Sequence, residues 1–327
     1  MSGFLGQLGV KDEVTYGTLV TPDRFFEFLS EGLAAETGRV ESPGIRAGTR
    51  VLRSDRRVPY INGVTGSIEL DVLSLGWSWW LKHMLGTVAT TGPAETSVYT
   101  HTGTVGDLTG DFFTLQVGVP QIGGATITPK TVTGCKVTSW ELACKAGETL
   151  KFKADIDGQT LDHTTGLATA SYPAAVEPIT FIRGVVTVGG TQVDVAEFSV
   201  KVDNTLKTDR RYLRTNALKK EPVESGTRKV SVELKCDFEN LTHQNRVLST
   251  TAAGAQAQVV LVCEGLTTIG TTLKPKVTIT VPVVMFDGDT PAVGGPDAVD
   301  QSLKGVGLYD GTNSPISVAY QVASATP

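Results

Sequence analysis

Cysteine, histidine and aromatic residues are all scarce in this sequence, and each scarcity removes a class of function. The 327 residues contain four Cys and four His, and aromatics make up 7%. Cys135, Cys144, Cys236 and Cys263 form no C-x-x-C pair. His83, His101, His163 and His243 have no close His or Cys neighbour, so neither a metal centre nor a cofactor is expected. The four thiols are expected as small buried hydrophobes in a reducing compartment. Charge of one sign is also missing: the net charge is −5 and the pI is about 5.5, which leaves no global basic footprint for nucleic acid. There is no apolar run of the roughly 20 residues a membrane helix needs. The opening Met-Ser-Gly-Phe-Leu-Gly has no basic region, so no secretory signal is expected. Catalytic patterns are absent as well. Neither G-x-S-x-G nor a P-loop occurs. Gly184, Gly189 and Gly190 lack the following helix that a dinucleotide fingerprint requires. Asp155-Ile156-Asp157-Gly158 has no downstream oxygen ligands to complete a calcium loop and is expected to be a hairpin turn, as is Asp287-Gly288-Asp289. The chain is not expected to be an enzyme.

What is present is β texture. Short runs rich in Val and Thr alternate apolar and polar residues between Gly, Pro, Asn or Asp. The clearest are 67–72, 111–119, 136–144, 149–156, 181–188, 192–202, 229–236, 256–263, 274–286 and 316–322. Gly189-Gly190 predicts a tight turn, and Pro282 predicts an edge or a bulge within its run. Two helices are expected, each directly after a strand. Ser74 to Leu85 places Trp77, Trp80, Leu81, Met84 and Leu85 on one face, with Gly86 as its stop. Helical spacing assigns Trp77, Trp79 and Trp80 to packing rather than to a sugar platform. The second, Asn240 to Thr250, has Asn240 as its cap and a weaker face of Leu241, Val247 and Leu248.

These elements repeat. Ser67-Ile68-Glu69-Leu70 recurs as Ser231-Val232-Glu233-Leu234, an offset of 164. Ile68, Leu70 and Val72 then correspond to Val232, Leu234 and Cys236, Trp77 to Leu241, and Met84 to Leu248. Upstream, Asp55-Arg56-Arg57 recurs as Asp209-Arg210-Arg211 at an offset of 154. The ordered landmarks predict an internal duplication: a first domain over 1–163, a linker over 164–178 and a second domain over 179–327. The fold expected is mainly β, with tandem sandwich or barrel domains, each carrying one flanking helix and one long basic loop.

The two long loops hold the positive charge. Residues 39–66 carry Arg39, Arg46, Arg50, Arg53, Arg56 and Arg57 against Glu41 and Asp55, a net +4. Residues 207–229 carry Lys207, Arg210, Arg211, Arg214, Lys219, Lys220, Arg228 and Lys229 against three acids, a net +5. The rest of the chain is therefore acidic. Long loops that stay ordered usually do so by contacting something, and basic loops on an acidic body suit self-association. Arg56, Arg57, Arg210 and Arg211 are the expected ion-pair donors between subunits.

The segment Gly9-Val10-Lys11-Asp12-Glu13-Val14-Thr15-Tyr16-Gly17-Thr18, followed by Val20-Thr21-Pro22-Asp23-Arg24-Phe25-Phe26-Glu27-Phe28-Leu29, resembles the opening of tail tube (major tail) proteins of long-tailed, non-contractile bacteriophages, in a branch common among phages of actinobacteria. The resemblance covers about 65 residues and implies a structural virion protein. Its subunits would join edge to edge into rings that stack as a hollow tube for DNA, assembled in the host cytoplasm. Its implied partners are other copies of itself, a tape measure protein, and tail terminator and tip proteins. DNA would pass without specific binding, and no membrane is involved. Two domains per chain predict three chains per ring with pseudo-sixfold symmetry, with six full chains as the alternative. Glu141, Asp155, Asp194 and Glu197 are the candidates for the lumen wall. A carbohydrate- or receptor-binding β-sandwich of the tail is the alternative function.

Overall fold

The computed structural model describes residues 3–123, 126–288, 290–296 and 298–327. The first half runs β1 (Gln7–Asp12), β2 (Arg24–Phe26), β3 (Ser30–Glu31), β4 (Ala34–Glu41), β5 (Arg57–Asp71), α1 (Trp79–Leu85), β6 (Gly86–Glu95), β7 (Val98–Val105), β8 (Phe113–Pro120), β9 (Ile127–Lys145), β10 (Lys151–Gly158) and β11 (Thr160–Asp162). The second runs β12 (Gly184–Val188), β13 (Thr191–Val193), β14 (Val195–Asp203), β15 (Leu206–Lys207), β16 (Val223–Glu224), β17 (Lys229–Asp237), α2 (Thr242–Val247), α3 (Ala252–Ala255), β18 (Gln256–Glu264), β19 (Lys276–Gly288), β20 (Asp300–Gly307) and β21 (Ser317–Val322). The protein is mainly β, in large antiparallel sheets that do not close into a barrel.

The two halves share one pairing order. In the first it is β2–β1–β8–β9–β10–β5–β4. In the second it is β13–β12–β18–β19–β20–β17–β14, again antiparallel at every step. The Ser-Ile-Glu-Leu segment lies on β5 and its counterpart on β17, with Ile68, Leu70, Val232 and Leu234 all buried. A long strand organises each half by changing partners part way along. β9 passes from β8 to β10 through a bulge at Gly134, which sits at a positive φ of 61° that a side chain would strain. β19 passes from β21 to β20 at Pro282, where Ala257 and Val259 of β18 face Val284 and Val281 across the expected bulge. Proline has no N–H to donate, so a change of partner there leaves no ladder bond broken.

The halves interlock rather than sit side by side. β14 of the second half pairs with β9 of the first, from Glu197↔Lys145 to Asp203↔Ser139. β21 returns the exchange by pairing with β7. One continuous hydrophobic core results, running from Leu8 to Val322. Two carboxylates fasten the seam. Glu95, at the tip of the β6–β7 hairpin, accepts the backbone N–H groups of Thr271, Thr272 and Leu273. Glu177 does the same for Leu266 and Thr267.

α1 plugs this core. Trp77 and Trp80 are fully buried against Phe152 of β10, and Trp77 also meets Tyr320 of β21 at 5.7 Å between centroids. The helix proper is shorter than the expected 74–85, because the segment before Trp79 is a run of turns. Gly86 ends it as anticipated, its N–H bonding Lys82 O. The second helix departs from expectation. Leu241 and Leu248 are 59% and 65% exposed, so they do not anchor α2 as Trp77 and Met84 anchor α1. The sequence Thr-His-Gln-Asn-Arg-Val turns Gln244 inward onto Gln301 instead, and has no aromatic to fill a core. Asn240 does cap the turn, accepting Thr242 N–H.

Other local expectations shift for identifiable reasons. Gly189-Gly190 forms the hairpin turn between β12 and β13, both glycines at positive φ. Asp157-Gly158 is not a turn: it ends β10, and the chain continues as β11 along the same strand β9. Glycine is needed there because a Cβ at 158 would lie 2.4 Å from Val132. Asp287 and Gly288 likewise extend β19, while Asp289 lies outside the described residues. Residues 181–183 form a 3₁₀ turn, so that run begins as strand only at Gly184. All four cysteines are free and buried.

Candidate assembly surfaces

Alternation along each strand sends one set of side chains into the core and leaves the other on an open face. Six consecutive strands, β5–β10–β9–β14–β17–β20, present such a face across both halves without a break. Their registers line the exposed residues into rows. One row is Glu69, Lys153, Glu141, Lys201, Ser231 and the exposed Val306. A second is Asp71, Lys151, Ala143, Ser199, Glu233 and Lys304. A third is Lys145, Glu197, Lys235 and Ser302, and a fourth is Ser67, Asp155, Ser139, Asp203 and Lys229. Neighbours along a row pair by charge, as Lys235 does with Glu197 at 2.8 Å. Acids and bases balance one for one over these rows, and none of the residues is aromatic. Of the four candidate wall residues, Glu141, Asp155 and Glu197 share this face. Asp194 does not: it is exposed in the connection between β13 and β14.

The first basic loop has a structure that its sequence did not reveal. It is a β-hairpin arm of β4 and the start of β5, paired from Ala34↔Thr65 to Glu41↔Arg57. The missed signal is the short β-forming run Val58-Pro59-Tyr60-Ile61, set among arginines. The outer edge of β4 pairs with no strand among the described residues, and β4 is exposed along almost its whole length. Arg39, Arg46, Arg50, Arg56 and Arg57 all lie in solvent. Arg53 pairs only with Asp55 and Arg57 only with Glu41, both within the arm. Apolar side chains are exposed with them, including Ile45 at 102%, Val51 at 78% and Val58 at 62%.

The second basic loop lies down on the first half of its own chain. Arg211 donates to the carbonyls of Asn62, Ile61 and Ala217, and its guanidinium covers the Tyr60 ring at 5.4 Å. Lys219 is buried and bonded to the buried Asp157. Gln159 donates to Lys219 O. Lys136, also buried, donates to Glu221, Leu108 O and Pro222 O. Arg210 holds Glu221 O. Burial raises the Asp157 carboxyl above its usual range even with Lys219 beside it, and burial also raises Glu13 and the Tyr16 hydroxyl nearby. Lys219, Arg210 and Arg211 are thus engaged inside the chain. Lys207, Arg214 and Lys220 are exposed, Lys220 resting over Tyr212. Asp157, Glu221 and Lys136 carry this contact. The sequence placed Asp157 only in an expected turn, and Lys136 and Glu221 are isolated charges in a strand and beside a proline.

Among the described residues no group of acids, His and Cys could hold a metal, and no helix is long and apolar enough to cross a membrane. Trp77 and Trp80 are buried and Trp79 packs against the core, so they offer no sugar platform. The open polar sheet face and the exposed β4–β5 arm are the most extended exposed surfaces described above. Comparison with known families gives the class: the model of the phage tail tube protein matches residues 3–307. The chain belongs to the phage tail tube protein family, a structural, non-enzymatic component of the virion tail. No curated protein matches it.

Proposed function

We propose that three copies of this chain form each ring of the tail tube, and that the polar face of the continuous sheet lines the bore. The observation carrying this reading is the unbroken face of β5–β10–β9–β14–β17–β20, six strands in which β14–β9 joins the two halves. Strands about 4.8 Å apart and tilted by about 40° give a wall of about 18 strands a backbone diameter of roughly 36 Å. Side chains narrow this further to a bore on the scale of a single DNA duplex. Six copies would double the wall and leave the DNA loose. The two halves, descended from a duplication, occupy six quasi-equivalent positions, and closing the ring covers the sheet edges. A wall balanced in charge and free of aromatics offers DNA neither a phosphate clamp nor a stacking platform, so the genome slides. Other tail proteins would cap the stacked rings and fill the bore before ejection. The purified chain is expected to form rings or tubes in negative stain, with a ring mass of three chains. A ring of six chains would overturn the stoichiometry, and a chain that stays monomeric at every concentration would overturn the reading.

A further inference from the structure

We infer that Cys144 and Cys263 form a modification site, at which peroxide joins the two thiols in a disulfide that ties the first half of the chain to the second. The inference concerns the single chain and does not depend on how copies join. Cys144 lies on β9 opposite Phe198 of β14, and Cys263 lies on β18 opposite Gly184 of β12. β9 and β18 share no ladder, so the two side chains meet across the core rather than along a sheet. Both residues line one cavity of about 270 Å³, which opens past the exposed Gln192 and Asp194. Gly184 puts no side chain over Cys263 there. The other two thiols are placed singly. Cys135 bonds Val132 O, Cys236 bonds Gln301 O, and neither lines this cavity.

The pair is also unequal in the way that sequential oxidation needs. A hydrogen bond from the Cys263 thiol lowers the Cys144 thiol below its usual value and outweighs burial, which raises it. Giving that bond raises Cys263, and burial adds to the rise. Cys144 is therefore the thiol that ionises and attacks first. Its thiolate displaces hydroxide from hydrogen peroxide, the O–O bond breaks, and Cys144 becomes a sulfenic acid. The Cys263 sulfur then attacks the Cys144 sulfur, the S–O bond breaks and the S–S bond forms. Two thiols and one peroxide thus give one disulfide and two waters. Thiols stay reduced where a glutathione pool is present, whereas a virion outside a cell has no such pool to reverse the bond. The loop closed is long, and a cross-link across a long loop restrains the unfolded chain most.

The test treats the full chain in native buffer with a small molar excess of hydrogen peroxide, blocks remaining thiols and maps peptides without reductant. One linked pair is expected, Cys144 to Cys263, lighter by two hydrogens and released by dithiothreitol. No linked pair, or a pair containing Cys135 or Cys236, overturns the inference. The oxidised chain is expected to unfold roughly 5 °C higher than the reduced one. A link without any rise overturns the claim that it ties the halves together. Cys263→Ala is expected to abolish the rise and to accumulate a dimedone adduct at Cys144, while Cys144→Ala accumulates none at Cys263. The reverse pattern overturns the order of attack. Mapping of the native chain needs neither variant, so it decides the inference even where a variant fails to fold.

Discussion

Lys219 and Asp157 show what a single buried contact does in this molecule. Both are almost fully buried and bonded to each other, and they hold the second-half loop onto the first half. Removing one member of such a pair leaves the other charge stranded, at a cost of about 3–5 kcal/mol. Lys219→Met is therefore expected to destabilise the chain by about that much in chemical denaturation, and adding Asp157→Asn should recover most of the loss. Equal losses from the single and double variants would show that packing of the loop matters and the pair does not. Glu95 makes the opposite kind of contact, at the surface. Hydrogen bonds from Thr272 first, then Thr271 and Leu273, hold its carboxyl down at about 2, against 4.5 unperturbed. A depressed carboxylate stabilises the fold above its unfolded value and loses that contribution as pH falls through the folded one. The seam between the β6–β7 tip and the 266–274 segment is thus intact above about pH 4.5 and loosens toward pH 2. NMR shifts of the Thr271 and Thr272 amides are expected to titrate with a midpoint near 2; a midpoint near 4.5 would mean the contact does not form in solution.

The helices differ more than any other pair of equivalent elements. α1 carries three tryptophans in and beside it and fills the space where β2, β8, β10 and β21 meet. Truncating Trp77 would open a cavity in that space, so Trp77→Ala is expected to cost on the order of 3–5 kcal/mol. Leu241→Ala and Leu248→Ala, at exposed positions, should stay within about 0.5 kcal/mol of wild type. A large loss at either leucine would show that α2 is covered in the free chain. Periodicity located both helices, since apolar spacing is a local property. It could not rank them, because burial depends on what lies opposite: four aromatic strand residues face α1, whereas a glutamine faces α2. The arm was misjudged for a related reason. Its run Val58 to Ile61 is short, contains Pro59, shows no apolar–polar alternation and follows six arginines, so charge masked the strand.

At the scale of the whole molecule, the proposal that the open polar face lines the bore makes a prediction about DNA passage. Glu141→Lys, Asp155→Lys and Glu197→Lys together convert a balanced face into a basic one without touching the core. Tubes carrying all three are expected to assemble and to eject DNA more slowly at low salt, with the delay relieved as salt screens the added charge. Unchanged ejection kinetics would place this face outside the bore. Much of this architecture was legible beforehand. The strand runs, their inward faces, the Gly189-Gly190 turn, the Pro282 bulge and the repeat of Ser67–Leu70 at Ser231–Leu234 follow from residue type and spacing, which the chain expresses locally. What only the tertiary structure decided is which edges meet. No periodicity says that β14 crosses to β9, that β21 crosses to β7, or that Arg211 reaches Asn62 while Arg57 is left with Glu41. Those outcomes depend on which edges the folded halves leave open, and a pattern read along one strand carries no information about the strand it will lie beside.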